Sequence, residues 1–120
     1  MMTSFESAIK LAKALDSKKG IDITVLRTGD LTTLADYFVI CSGTSNTQIK
    51  ALSDACEKAM DEAGEPAHHV EGHRGGTWVL LDFSNVVVHV FTEEARKFYD
   101  LERLWGDAQE MDISAQIRPN

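Results

Sequence analysis

The stretch TWVLLDFSNVVVHVF, residues 77–91, restricts the folds open to this chain more than any other segment. Its apolar residues are too dense and too often β-branched for a surface helix, and Ser84 and Asn85 break the run in two. A β-hairpin follows. With Ser84 and Asn85 as the turn, Phe83 faces Val86, Leu81 faces Val88 and Val79 faces Val90, an apolar face suited to carrying helices. The other face sets Trp78 opposite Phe91, Leu80 opposite His89 and Asp82 opposite Val87. That face is mixed, as in a surface only partly covered or used for contact. Ser-Asn is a weaker turn signal than Asn-Gly, and a one-residue bulge would exchange the faces of one strand, so this register is an expectation.

The remaining segments supply partners for the hairpin. Thr3 to Lys19 has helical period, with Phe5, Ala8, Ile9, Ala12 and Leu15 on one stripe and Thr3 and Glu6 spaced as a capping box. Gly20 is expected to stop it through a positive φ. IDITVL and ADYFVICSG read as strands, the second apolar on both sides and therefore central. Ser45 and Gln48 repeat the capping spacing before a second helix, whose stripe is Ile49, Leu52, Cys56, Ala59 or Met60, and Ala63, and which Gly64 and Pro66 end. PAHHVEG predicts a short strand, EGHRGG a loop, and TEEARKFYDLERLW a broken helix. A chain of 120 residues can bury one core without disulfides or a structural metal. The expected fold is α/β (α+β): one domain over residues 1–108, a five-stranded mixed sheet flanked by helices, followed by a polar, flexible tail over 109–120.

Composition narrows the function. Nineteen acidic residues against twelve basic leave a net charge of -7, which disfavours a protein that binds nucleic acid by neutralising phosphates but suits a basic protein partner. Cys41 and Cys56 lack redox or zinc spacing and are expected to be buried thiols of a reducing compartment. No apolar run approaches the roughly 20 residues of a membrane span and no signal-peptide core opens the chain, so a cytoplasmic location is expected.

Chemistry-bearing residues are few. His68, His69, His73 and His89, with Glu71 and Asp36, are the material for a metal or acid–base site, but adjacent histidines in a strand point to opposite faces. GTSNTQ has one glycine and no lysine at the place a phosphate-binding loop needs it, so helix capping explains it better than phosphate binding. No serine or cysteine stands in a nucleophile motif. No catalytic, cofactor or metal site is expected. The last third is richer: Trp78, Phe91, Phe98, Tyr99 and Trp105 lie close along the chain, with Glu93, Glu94, Asp100, Glu102 and Asp107 around the later ones. A tryptophan beginning a strand on the mixed face can anchor an interface, and the acidic rim suits a basic partner.

LADYFVICSGTSNTQIKALSD, VEG, WVLLDFSNVVVHVF and FYDLERLWGDA, in this order, closely resemble the ribosomal silencing factor family, also called the Iojap family. The resemblance runs from about Ile21 to Ala108, with Phe83-Ser84-Asn85 in place of a more usual Tyr-Gly-Asp type of turn. It implies a nucleotidyltransferase-like fold and a factor that binds the large ribosomal subunit through that subunit's fourteenth protein, blocks joining of the small subunit and represses translation. It also implies a homodimer when free. Trp78 is then the leading contact, with Asp36, Tyr37, Phe98 and Tyr99 as further ones. Working nucleotidyltransferases resemble a pattern of paired carboxylates that hold magnesium; here VEG offers only Glu71 and LLDF only Asp82. A nucleotide- or metal-dependent enzyme using Asp36, Glu71, Asp82 or His89 is the alternative.

Overall fold

The structure, a computed structural model, describes residues 2–72 and 76–117. His73 and the two residues after it, 73–75 of the EGHRGG loop, lie outside the described residues. The element order is α1 (Ser4–Ser17), β1 (Ile21–Arg27), β2 (Tyr37–Gly43), α2 (Asn46–Glu62), β3 (His69–Glu71), β4 (Trp78–Asp82), β5 (Val86–Thr92), α3 (Glu93–Tyr99), α4 (Leu101–Leu104), β6 (Gln109–Met111) and α5 (Ser114–Ile117). The six strands form one sheet in the order β3-β4-β5-β2-β1-β6, with β2 and β5 parallel at its centre and the other pairs antiparallel.

The hairpin register is the expected one: Trp78 pairs with Phe91, Val79 with Val90, Leu80 with His89, Leu81 with Val88 and Asp82 with Val87. The turn is tight. Asn85 donates its N–H to Phe83 O (3.0 Å) around Ser84 at φ 72, while Asp82 Oδ1 accepts from Ser84 N–H (2.8 Å). The apolar face of the hairpin packs with Val25, Val39 and Cys41 under α1 and α2, whose buried stripes are Ala8, Ile9, Leu11, Ala12 and Leu15, and Ile49, Leu52, Cys56 and Met60. Met60 thus takes the core place left open between it and Ala59. Both cysteines are free and buried, and burial raises the Cys41 thiol to about 12.

Three expectations are corrected. The sheet has six strands, because Gln109–Met111 pairs with Val25–Arg27, and Ile113 enters the main core. The polar sequence after 108 concealed a tail that supplies backbone partners to an otherwise open edge. Gly20 is not the left-handed residue after α1. Lys19 takes φ 62, and Gly20 donates to Leu15 O (2.9 Å) where a Cβ would meet Cys41 Sγ at 2.4 Å. Gly20 is therefore required for close approach, not for its φ. Finally, Ser45 Oγ accepts from Gln48 N–H (3.1 Å), but the Gln48 side chain does not return to Ser45. Its Oε1 accepts from Thr44 N–H (2.7 Å) and its Nε2 donates to Lys18 O and Lys19 O (3.2 and 3.0 Å), tying the end of α1 to the start of α2.

Candidate functional site

The second face of the sheet is covered only in part. Alternation along β2, β4 and β5 puts Phe38 and Ile40, Trp78, Leu80 and Asp82, and Val87, His89 and Phe91 on it. Leu101 of α4 and Trp105 at its end pack against the cluster that holds Leu26, Phe38 and Ile40, and Ala95 of α3 joins it. Trp78, Leu80, Asp82 and Val87 remain partly exposed. The mixed face read from the hairpin is an open strip beside a small core.

A ladder of rings crosses this face. Phe38 meets Trp105 edge-on at 5.4 Å and His89 at 5.0 Å; Trp78 stacks on Phe91 at 5.0 Å and meets Tyr99 at 4.6 Å; Phe98 meets Tyr99 edge-on at 5.1 Å. Such contacts add to burial and fix ring orientation. The ladder ends in solvent: Phe98 is 81 % exposed, Leu104 73 % and Tyr99 47 %.

His89 lies inside the ladder, 5 % exposed. Its Nδ1 accepts from Trp78 Nε1–H (3.2 Å), which leaves the ring proton on Nε2, a buried atom without a hydrogen-bond partner among the described residues. Desolvation alone lowers its pKa from 6.5 to about 4, so the ring is neutral and serves to orient Trp78.

The structure brings together Trp78, Phe98 and Tyr99 of the predicted contacts. Asp36 and Tyr37 stand at the far end of β2, where Tyr37 pairs with Val86 while Phe91 pairs with Ser42, about 17 Å along the strands. There Asp36 Oδ2 accepts from Ser4 Oγ (2.5 Å) and Tyr37 packs on Phe5 at 5.8 Å. The residues weighed for catalysis are also dispersed. Asp82 accepts within the hairpin turn, Asp36 accepts from Ser4 at the start of α1, and Glu71 bonds His69 (2.7 Å). Glu71 and His89 share a transverse row, but Leu80 stands between them, a separation of about 10 Å. Among the described residues no group of three or more His, Cys, Asp or Glu could hold a metal ion, and no helix is long and apolar enough to cross a membrane.

Sequence reasoning missed Arg96, which reads as an ordinary helix-surface cation. Its side chain is only 12 % exposed and runs inward from α3. Nε and Nη2 grip both oxygens of Glu102 (2.9 and 3.3 Å), Nη2 also donates to Thr24 Oγ1 (3.0 Å), and Nη1 donates to Asp22 O and Ser42 Oγ (2.7 and 3.0 Å) with Ile21 O at 3.4 Å. Arg96 and Glu102 meet across a chain reversal at Asp100, left-handed at φ 47 and ψ 54, which no helical spacing announces.

The fold and this face define a small α+β protein with a candidate docking surface of exposed rings and carboxylates. The profile described as "Ribosomal silencing factor during starvation" matches residues 2–120. The ribosomal silencing factor of Bacillus subtilis is 40 % identical over 109 residues, 90 % of this chain and 92 % of that one. A more distant relative from Mus musculus, "Mitochondrial assembly of ribosomal large subunit protein 1", is 31 % identical over 116 residues, 91 % of this chain and 51 % of its own length. A crystal structure of a Chromobacterium violaceum protein superposes with a TM-score of 0.86 at 37 % identity, covering 98 % of both chains. The chain belongs to the ribosomal silencing factor (Iojap) family, and its function at the level of the family is that of a ribosome-directed repressor of translation.

Proposed function

We propose that this chain silences translation as a steric factor: it docks on the large ribosomal subunit through that subunit's fourteenth protein and bars the small subunit from joining. The observation that carries this reading is the open aromatic strip of Trp78, Tyr99 and Phe98. An exposed patch of large rings that the fold does not cover is the kind of surface that a partner fills. Exposed Glu93, Glu94 and Asp107 give the neighbourhood an acidic character suited to a basic ribosomal protein, and the net charge of -7 disfavours direct, nonspecific binding to RNA. The name of the mouse relative, which mentions the large subunit, points the same way. In this reading the chain turns nothing over, works in the cytoplasm, and its nucleotidyltransferase-like arrangement is a scaffold without paired carboxylates. When no ribosome is present, the chain is expected to pair with a second copy of itself. Asp36 and Tyr37 lie outside the strip, and the reading does not rest on them.

Cosedimentation with purified large subunits, with and without small subunits, tests this. Comigration with free large subunits and loss of joined particles is the expected result; absence from the large-subunit fraction at moderate salt would remove the reading. Saturable binding of a nucleotide in the presence of magnesium would favour the enzymatic alternative instead.

A further inference from the structure

We propose that Arg96 is the positioning residue of the docking strip, a latch that holds α3 and α4 on the sheet so that Phe98 and Tyr99 project beside Trp78. The proposal rests on the docking role given above. Within α3 only Ala95 is buried, and α4 has no buried residue. Apolar packing from Leu101 and Trp105 holds the far end, while the turn that carries Phe98 and Tyr99 is held by the half-exposed Tyr99 ring against Trp78 and Phe91, with Phe98 in solvent. Arg96 supplies what is missing. All five guanidinium N–H groups have acceptors, drawn from β1, β2 and α4.

The receiving end is built for it. β1 shifts register between Ile21 and Thr24, with Asp22 at φ 50, and β6 pairs only with Val25–Arg27. The irregularity turns the Asp22 carbonyl out of the ladder, where the guanidinium takes it. At the other end, Arg96 O accepts from Asp100 N–H (2.9 Å) at the left-handed joint between the two helices. The anchored side chain thus sits one helical turn before that joint. Lysine keeps the charge but has no planar fork, so it cannot grip Glu102, Thr24, Ser42 and Asp22 together.

The test is Arg96→Lys in the full chain, alone and combined with Phe98→Ala. Two readouts are taken: amide hydrogen exchange, and affinity for purified large ribosomal subunits. A latch predicts at least tenfold faster exchange over residues 93–107 with unchanged protection in β2 and β5, and at least a tenfold loss of affinity. Because Arg96 acts through the rings, Arg96→Lys should cost much less affinity in the Phe98→Ala background than in the parent. Loss of protection across the whole sheet, unchanged exchange over 93–107, or fully additive affinity losses would each overturn the proposal. Thr24→Val with Ser42→Ala removes two acceptors without touching the arginine; it should reproduce the local opening in milder form, and its failure to do so counts against the latch. If Phe98→Ala and Tyr99→Ala bind as tightly as the parent, the docking reading fails and the positioning role with it. Local exchange in Arg96→Lys separates that outcome from a failure of the latch itself.

Discussion

His89 shows how one residue couples the sheet to solvent conditions. The ring is packed among Phe38, Trp78 and Phe91, with no charged partner among the described residues to balance a proton. Its folded pKa of about 4 lies below the ordinary 6.5, so the unfolded chain takes up the proton first. This contribution to stability is complete above about pH 6.5 and is lost as pH falls toward 4. Between pH 7 and pH 5 it should amount to about 2 kcal/mol. Urea unfolding of the parent and of His89→Leu at the two pH values measures it: the variant should lose that part of the slope, and equal slopes would sink the assignment. The end of α1 offers a second case. Lys19→Gly should raise stability by about 0.5 to 1 kcal/mol by relieving a left-handed lysine, whereas Gly20→Ala should lower it by about 2 kcal/mol through overlap with Cys41 Sγ. The opposite order in urea midpoints would mean that the roles of the two residues are reversed.

At the scale of elements, much of the local structure was legible. Both N-caps, the helical stripes and the hairpin follow from side-chain period and capping chemistry, which act over three or four residues. What escaped depends on groups distant in sequence. Gln48 occupied a capping-box position, yet its amide caps the carbonyl ends of α1, about thirty residues earlier. Gln48→Ala should therefore cost about 1 to 2 kcal/mol and speed exchange at the end of α1 as well as at the start of α2. A change confined to α2 would contradict that link. The strand β6 was missed for a related reason. Gln109–Met111 has too few apolar residues to announce a strand, and it forms because the exposed edge of β1 offers unpaired backbone groups.

For the whole molecule, the structure changes which side chain best tests docking. Trp78 remains in the strip, but it is stacked on Phe91 and bonded to His89, so Trp78→Ala removes packing as well as contact. Phe98, at 81 % exposure, separates the two effects. Phe98→Ala should leave the unfolding midpoint nearly unchanged and weaken large-subunit binding by about 2 kcal/mol, roughly thirtyfold, if it is a hot spot. Trp78→Ala should lower both. Affinity should also fall as salt is raised, because part of the attraction comes from exposed carboxylates facing a basic partner. Salt-independent binding would remove that electrostatic contribution.

By itself the sequence determined the hairpin, the helical stripes and the acidic balance, because each rests on short-range period or on composition, and its long ordered motifs carried the family resemblance. Only the tertiary structure decided which hairpin face stays open, that residues 109–111 close the sheet edge, that Asp36 and Tyr37 lie apart from Trp78, and that Arg96 is an inward-facing clasp. The physical reason is common to all four. Exposure and hydrogen-bond satisfaction belong to pairs of groups brought together by the fold, and no single segment carries both members of the pair.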